Sequence, residues 1–339
     1  MHIVITGGAG FLGARLARTL LAQGRLSLAG AIAAPLQRIT LVDRAAPPPD
    51  LAGDPRIAAV TGDLNAQLGA DANDAVWREA DAVFHLAAAV SGECEADFDL
   101  GMRSNFAATH ALLERLRALG TRPVLVFASS LAVFGDAPEQ PLPPVIEDAT
   151  TPTPQTSYGI QKFIGEQLVA DFTRKGFVRG RSVRLMTVSV RPGKPNGAAS
   201  GFFSGMIREP LAGLPAACPV PDATPVAIAS PARTIEGILR AAEATDAEWG
   251  PRTALNLPSL ATTVGEMAAA LARVAGPAAT ALLERTPDPA IMRIVKTWPG
   301  RFETQRARAL GLTADTSFDE VIRAYVRENP DAIKLPGVA

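Results

Sequence analysis

The chain has 339 residues, 47% hydrophobic and 20% charged, enough for one large α/β domain with a satellite and unlike a disordered chain. With 33 basic against 34 acidic side chains there is no cationic surplus to neutralise phosphates, which argues against nucleic acid as a partner. Two cysteines, Cys94 and Cys218, are too few and too far apart for a disulfide framework, so the reading is a reducing, cytoplasmic setting.

The first segment, "MHIVITGGAGFLGARLARTLLAQ", lacks a basic leading region, and Arg15 and Arg18 interrupt its apolar run. It reads as folded structure and not as a signal peptide. The most apolar later stretch, "LSLAGAIAAPL", is too short to span a bilayer, so no membrane partner is expected. Four short runs, "HIVITG", "RITLVD", "AVFHLAA" and "PVLVFASS", are rich in β-branched or aromatic residues and near-continuously apolar, as strands covered on both faces are. Helix-period segments separate them: "FLGARLARTLLAQ", and "NFAATHALLERLRALG", which ends at Gly120 in a C-cap position. This alternation predicts an α/β fold with a doubly wound parallel sheet of the Rossmann kind. A further strand, "RSVRLMTVSV", follows the helix that bears Tyr158.

Past about Arg191 proline and glycine become frequent, as in "RPGKPNGAASGFF", and a smaller C-terminal α+β lobe is expected. The predicted division is 1–190 for a dinucleotide-binding domain and 191–339 for a substrate lobe, with segments near 225–260 returning to the first. "SPARTIEGILRAAEA" and "TVGEMAAALARVAG" read as helices, "TALNLPS" as a short strand, and "SFDEVIRAYVREN" as a last helix opened by a capping-box pattern at Ser317 and Glu320.

"ITGGAGFLG" places Gly7, Gly10 and Gly13 after the first strand and at the opening of a helix. Such a turn needs positive φ, and its bare backbone lets a pyrophosphate approach the helix N-terminus. The spacing is GxxGxxG rather than GxGxxG. Asp43 ends the second strand, where a carboxylate accepts hydrogen bonds from ribose hydroxyls and repels a 2′-phosphate; this favours NAD, although Arg44 beside it could grip that phosphate. The separation from Gly13 exceeds the usual ~20 residues, so "SLAGAIAAPLQ" is expected to loop out. Asp63 in "VTGDL" follows another apolar stretch and is a candidate for the adenine amino group or, more plainly, an Asx turn.

Tyr158 and Lys162 in "TSYGIQK" stand four apart, on one helical face. A phenol beside an ammonium is a proton-transfer pair. His2, His85 and His110 are scattered without metal-ligand spacing, so no metal is expected. Ser129 and Ser130 end a strand, at the sheet edge where α/β ligands bind.

"TGGAGFLG", "GDL", "FHLAA", Asn105, "FASSLAVFG" and "YGIQK" resemble, in order and spacing, the extended short-chain dehydrogenase/reductases. "ALNLPS…TVGEM" and "RARALGL…SFDEVIRAY" resemble that family's C-terminal lobe. "SGECEADFDLGMRSN", "SVRPGKPN" and "PDPAIMRIV…WPGRF" look like the branch that oxidises D-erythronate, a four-carbon sugar acid. The resemblance implies an NAD-dependent dehydrogenase with Ser130, Tyr158, Lys162 and Asn105 as catalytic residues, Asn105 through a water relay. It implies cofactor contacts from Gly7, Gly10, Phe11, Leu12, Gly13, Asp43, Asp63, Leu64, Leu86, Ala87, Ala88, Asn105, Ser129, Tyr158 and Lys162. Where the family often has tyrosine this chain has Phe134.

A free phenol titrates near 10, and bringing it to about 7 takes roughly 4 kcal/mol of preferential phenolate stabilisation. Lys162 and a cationic nicotinamide are expected to supply it. Family members acting on nucleotide sugars usually carry a "GxGxxxRD"-like stretch, whereas "CPVPDATPVAIASP" stands here, so a small sugar acid is the expected substrate. Its carboxylate needs a cation: Arg191 first, Lys194 second, with Ser91 meeting hydroxyls. Oxidation at C2 to a 2-oxo acid is the expected reaction. The alternatives are a nucleotide-sugar epimerase or dehydratase retaining NAD, and a non-catalytic NAD sensor on the same fold. The helices "NFAATHALLERLRAL" and "YGIQKFIGEQLVADF" carry apolar residues on more than one face, and the resemblance implies a homodimer through them.

Overall fold

The computed structural model describes residues 1–69, 74–194 and 197–337. Pro195 and Asn196 of the "SVRPGKPN" segment lie outside them. In chain order the strands that matter are β1 (His2–Thr6), β2 (Arg38–Asp43), β3 (Ile57–Thr61), β4 (Ala82–His85), β5 (Val124–Ser130), β6 (Arg179–Leu185), β7 (Thr187–Val188), β8 (Pro225–Ala229), β9 (Leu255–Asn256) and β10 (Leu260–Thr263). The helices are α1 (Phe11–Gln23), α2 (Ala108–Leu119), α3 (Ser157–Arg174), α4 (Gly201–Leu211), α5 (Pro231–Glu243), α6 (Val264–Ala275) and α7 (Phe318–Glu328).

A seven-stranded sheet runs in the order β9-β6-β5-β4-β1-β2-β3, and every pairing in it is parallel. The chain winds outward from β1 through β2 and β3, then resumes at β4 on the other side. That reversal opens a crevice at the carboxyl ends of β1 and β4. β1 and β4 are buried along their whole length, which is why they read as unbroken apolar runs. β3 is not among the four apolar runs: "IAAVT" is a half-exposed edge strand without a strong apolar pattern. The "SLAGAIAAPLQ" insertion turns back so that Ala34–Pro35 pairs antiparallel with Arg25–Leu26 just before it, docked by Ala29 and Gly30 N–H groups on the last carbonyls of α5.

α5 packs against β5, β6 and α1, and its Ile235, Ile238 and Leu239 share one core with Ile3, Ile5, Leu16 and Leu255. A second core joins Phe203 and Met206 of α4, Met267 and Leu271 of α6, and Phe318, Ile322 and Tyr325 of α7. Tyr325 is therefore a packing residue. Thr263 and Glu266 close a reciprocal capping box on α6, whereas Glu320 turns its carboxylate to Arg323, leaving Ser317 alone to cap α7. A small sheet, β10-β8-β7, carries the chain from the large sheet into this second core.

One helix boundary differs from expectation. Ahead of α2 the helical path already runs through Phe98–Gly101 and a π-helical stretch, Met102–Ala107. Asn105 is thus inside a continuous helical segment and not at a helix start. Among the described residues no helix is long and apolar enough to cross a membrane.

Candidate active site

The glycine turn is dictated by contacts. Gly7 has φ +70°, and a Cβ there would lie 2.8 Å from Ala87 N on the neighbouring strand's loop. A Cβ on Gly13 would lie 2.1 Å from Gly7 O, so helix and turn touch backbone to backbone. α1 starts at Gly10 without a side-chain cap or an acidic residue in its first turn. Its leading N–H groups and the positive end of its dipole therefore face the crevice uncompensated, which fits a pyrophosphate. Phe11 and Leu12 line the same cleft, a space of about 400 Å³.

Asp43 sits at the tip of β2 in this cleft, one carboxylate oxygen accepting from Ala9 N and the other from Ala45 N, both at 3.0 Å. Each oxygen keeps a lone pair for a ribose hydroxyl. Asp63 lines the cleft and caps the helix Leu64–Leu68 by accepting from Asn65 N at 2.9 Å, as an Asx turn would. Leu64, Leu86, Ala87 and Ala88 complete this wall. The donor set and the bare glycine backbone together fit a dinucleotide.

At the other end, α3 brings Tyr158 and Lys162 to the cleft on one face, opposite Ser129 and Ser130 at the end of β5. Thr156 caps α3 by accepting from Gly159 N at 3.1 Å, so Tyr158 lies in the first turn. The Ser130 hydroxyl accepts from Ala132 N at 3.1 Å and is within hydrogen-bonding reach of the Tyr158 phenol. Lys162 Nζ donates to Ala128 O at 2.8 Å and lies 5.7 Å from the centre of the Tyr158 ring. Ser129 differs from its expected use. Its hydroxyl donates to Glu166 Oε1 at 2.5 Å, within the buried Glu166–Arg184 pair, so toward the cleft it has no hydrogen left to donate.

The phenol's electrostatics also differ. Burial pushes Tyr158 up to about 12; the bond from Ser130 opposes this, the Cys94 thiol adds to it, and the Arg191 guanidinium pulls it down. Burial pulls Lys162 down to about 8, against the raising effects of Cys94 and Glu166. Of the groups around the phenol, Ser130 and Arg191 are the ones that favour its ionised form. The Lys162 ammonium is directed to the Ala128 carbonyl, and the desolvation cost of a phenolate exceeds what the neighbouring groups return.

Arg191 lines the cleft, donating to the carbonyl and hydroxyl of Ser200 at 3.0 and 3.3 Å. Among the described residues it pairs with no carboxylate. Burial lowers its pKa, as does Arg208 nearby, while Tyr158 acts in the opposite sense. Ser91 lines the cleft with its hydroxyl accepting from Ala199 N at 3.1 Å. Lys194, the second choice of cation, does not come to the site: it is exposed beyond the positive-φ turn at Gly193 and is no part of the cleft wall. Asn105 is one layer behind the wall. Its amide oxygen accepts from Ala89 N at 2.8 Å, and its nitrogen donates to Ala89 O, Cys94 Sγ and Gln161 Oε1. With the amide so engaged, its direct effect is to hold the loop after β4 rather than to touch a ligand.

Thr187, Ser200 and Trp298 also line the cleft, and sequence reasoning misses them. All three come from beyond β6, where regular alternation is lost. The one signal in the sequence is that Trp298 falls in the "WPGRF" segment.

The sequence profile described as "NAD dependent epimerase/dehydratase family" matches residues 3–224. Two relatives named D-erythronate dehydrogenase align almost end to end: one from Cupriavidus necator, 49% identical over 97% of this chain and 98% of its own length, and one from Haemophilus influenzae, 40% identical over 96% and 99%. A solved structure of a protein named as a nucleoside-diphosphate-sugar epimerase, from Agrobacterium tumefaciens, is 42% identical, with TM-score 0.87 over 98% of this chain and 95% of that one.

Proposed function

The chain belongs to the NAD dependent epimerase/dehydratase family and is an NAD-dependent oxidoreductase; on that premise we propose that it oxidises the C2 hydroxyl of D-erythronate, or a close four-carbon sugar acid, to the 2-oxo acid. NAD, when bound, supplies the hydride acceptor. The Gly7–Gly13 turn and the N-terminus of α1 would hold its pyrophosphate, Asp43 its adenosine ribose, and Lys162 the ribose nearer the chemistry. Tyr158 takes the C2 hydroxyl proton onto its oxygen, whose ionised form burial opposes and Ser130, Arg191 and the positive charge of a bound NAD would favour, and Ser130 holds that same hydroxyl oxygen in line. Arg191 anchors the carboxylate, with Ser91 beside it.

The observation that carries this reading is Arg191: a half-buried guanidinium in the same cleft as Tyr158, close enough to influence it and without a carboxylate partner among the described residues. A small anionic substrate supplies that counter-charge, whereas a neutral sugar ring does not. Purified protein with NAD and D-erythronate is expected to raise NADH absorbance. Tyr158→Phe is expected to reduce this to background with unchanged melting. Arg191→Ala is expected to raise KM roughly 10- to 100-fold, the loss of a charge-assisted hydrogen bond. No NADH from any four- to six-carbon sugar acid would refute the proposal.

The name carried by the Agrobacterium protein favours a second reading, a nucleotide-sugar epimerase with retained NAD. It predicts turnover of a nucleotide sugar with no net NADH. A homodimer through α2 and α3 belongs to the same proposal: Phe98 and Ile160 stand 62% and 46% exposed on this side, and light scattering tests it.

A further inference from the structure

We propose that one face of α4 is built to aim Arg191 into the cleft, with Ser204 and Arg208 as positioning residues for it. This rests on the sugar-acid reading above, in which Arg191 meets the substrate carboxylate, and adds the residues that hold that anchor. Ser200 precedes α4, and Ser204 and Arg208 follow it at steps of four, a spacing that sets all three on one helix face. Each takes a different group of Arg191. The guanidinium donates to the carbonyl and hydroxyl of Ser200 at 3.0 and 3.3 Å. The main-chain N–H donates to Ser204 Oγ at 3.0 Å. The main-chain carbonyl accepts from Arg208 Nη1 at 2.8 Å. Arg191 is thereby held by its side chain and at both ends of its own backbone.

This stripe is not what packing alone asks of α4. Phe203, Met206, Ile207 and Leu211 already bury the helix in the second core. Ser204 is fully buried and Arg208 nearly so, and polar groups in such places are costly without partners. The partner they share is Arg191. Ser204 Oγ also donates to Val188 O at 3.5 Å, so one hydroxyl joins the end of β7 to the anchor. Between them, Ser189 Oγ donates to Phe203 O at 3.2 Å, and Val190 shares the core of Phe203 and Ile207.

Charge follows the same division. Arg208 is paired with Glu209, so it contributes a donor and little free charge. Arg191 meets no carboxylate among the described residues and keeps its charge for a ligand. A loose arginine must be ordered when it binds an anion; one ordered beforehand does not bear that cost. Arg191, Ser200, Val188 and Tyr158 line the cleft, whereas Ser204 and Arg208 do not. The effect of Ser204 and Arg208 on a substrate therefore passes through Arg191.

Steady-state kinetics with NAD and D-erythronate test this. Ser204→Ala strands the Arg191 N–H, and KM for the acid is expected to rise roughly fivefold, with kcat and KM for NAD within about twofold of wild type. Arg208→Met removes a charge-assisted bond, and the expected rise in KM for the acid is roughly tenfold or more. Arg208→Lys keeps a cationic donor and is expected to recover most of that loss. Should Arg208→Met not fold with Glu209 left unpaired, adding Glu209→Gln removes both charges and reads the same quantity. In an Arg191→Ala background, Ser204→Ala or Arg208→Met is expected to change KM by less than about twofold, because the side chain each one aims is gone. Losses that add in full in that background, or that fall equally on both KM values and on kcat, would show ordinary helix packing and overturn the proposal. An unchanged KM for the acid in both single variants would overturn it too. With the wild type active on a sugar acid, those results leave the sugar-acid reading standing and remove only this inference. A wild type that makes NADH from no four- to six-carbon sugar acid removes both.

Discussion

Replacing Glu166 by glutamine keeps the shape of the side chain and removes a charge from behind the cleft wall. The pair it makes with Arg184 is buried, with side-chain exposures of 2% and 5%. Arg184 Nε and Nη2 donate to the two carboxylate oxygens, each at 2.8 Å, and Ser129 adds a third bond to Oε1. Arg184 also donates to Asn256 at 3.2 Å and lies over Phe134 at 4.9 Å, so it cannot swing to water. An amide in place of the carboxylate turns an N–H₂ toward one guanidinium donor and leaves a buried cation uncompensated. Breaking such a pair costs about 3–5 kcal/mol, a large share of the ~5–15 kcal/mol that holds a native state. Urea denaturation followed by circular dichroism should show the midpoint falling with little change of slope. Adding Arg184→Met, which retains the stem over Phe134, should restore roughly 2–3 kcal/mol of the loss as coupling. The same variant has a kinetic signature. Glu166 is one helical turn beyond Lys162 and raises its pKa, so without it the ammonium titrates below about 8. The alkaline limb of kcat/KM should then move to lower pH. A loss under about 1 kcal/mol, or a strictly additive double variant, would refute the view of this pair as a cooperative buried clamp.

Two further outcomes follow from the geometry. Gly13→Ala drives a Cβ to 2.1 Å from a carbonyl oxygen that cannot yield, so NADH affinity by fluorescence titration should fall at least about tenfold; native-like binding would refute the close approach. His85 is buried between Thr6 and Thr109, at 2.7 and 3.0 Å, and burial, with Lys162 adding to it, pulls its pKa to about 3 from the ordinary 6.5. Between those values the unfolded chain binds a proton that the folded chain does not. Stability is therefore lost as pH falls from 6.5 toward about 3, with a slope of up to about 1.4 kcal/mol per unit. His85→Gln should flatten the urea midpoint between pH 6 and 4 relative to the wild type, and parallel curves would refute the assignment.

What the sequence determined by itself was local. The order of strands and helices, the glycine turn after β1, the placement of Asp43 at a strand tip and the shared face of Tyr158 and Lys162 all follow from periodicity, turn chemistry and helical spacing. These are written within a few residues of one another. Only the tertiary structure decided which polar groups remain free. Ser129 and Ser130 are adjacent, yet one hydroxyl is drawn to Glu166 and the other lies within reach of Tyr158, because successive side chains of a strand diverge and the two partners stand two helical turns apart on α3. Asn105 was visible as a chemistry-bearing residue, but a π-helical stretch turns its amide onto Ala89. Arg191 and Lys194 are three residues apart, and the turn between them sends one into the cleft and the other to solvent. Trp298 joins Ser130 in the cleft wall from nearly half the chain away. Such approaches arise when two hydrophobic cores dock, and the energy that brings them together is spread over many apolar contacts, none of which marks the polar residue it delivers.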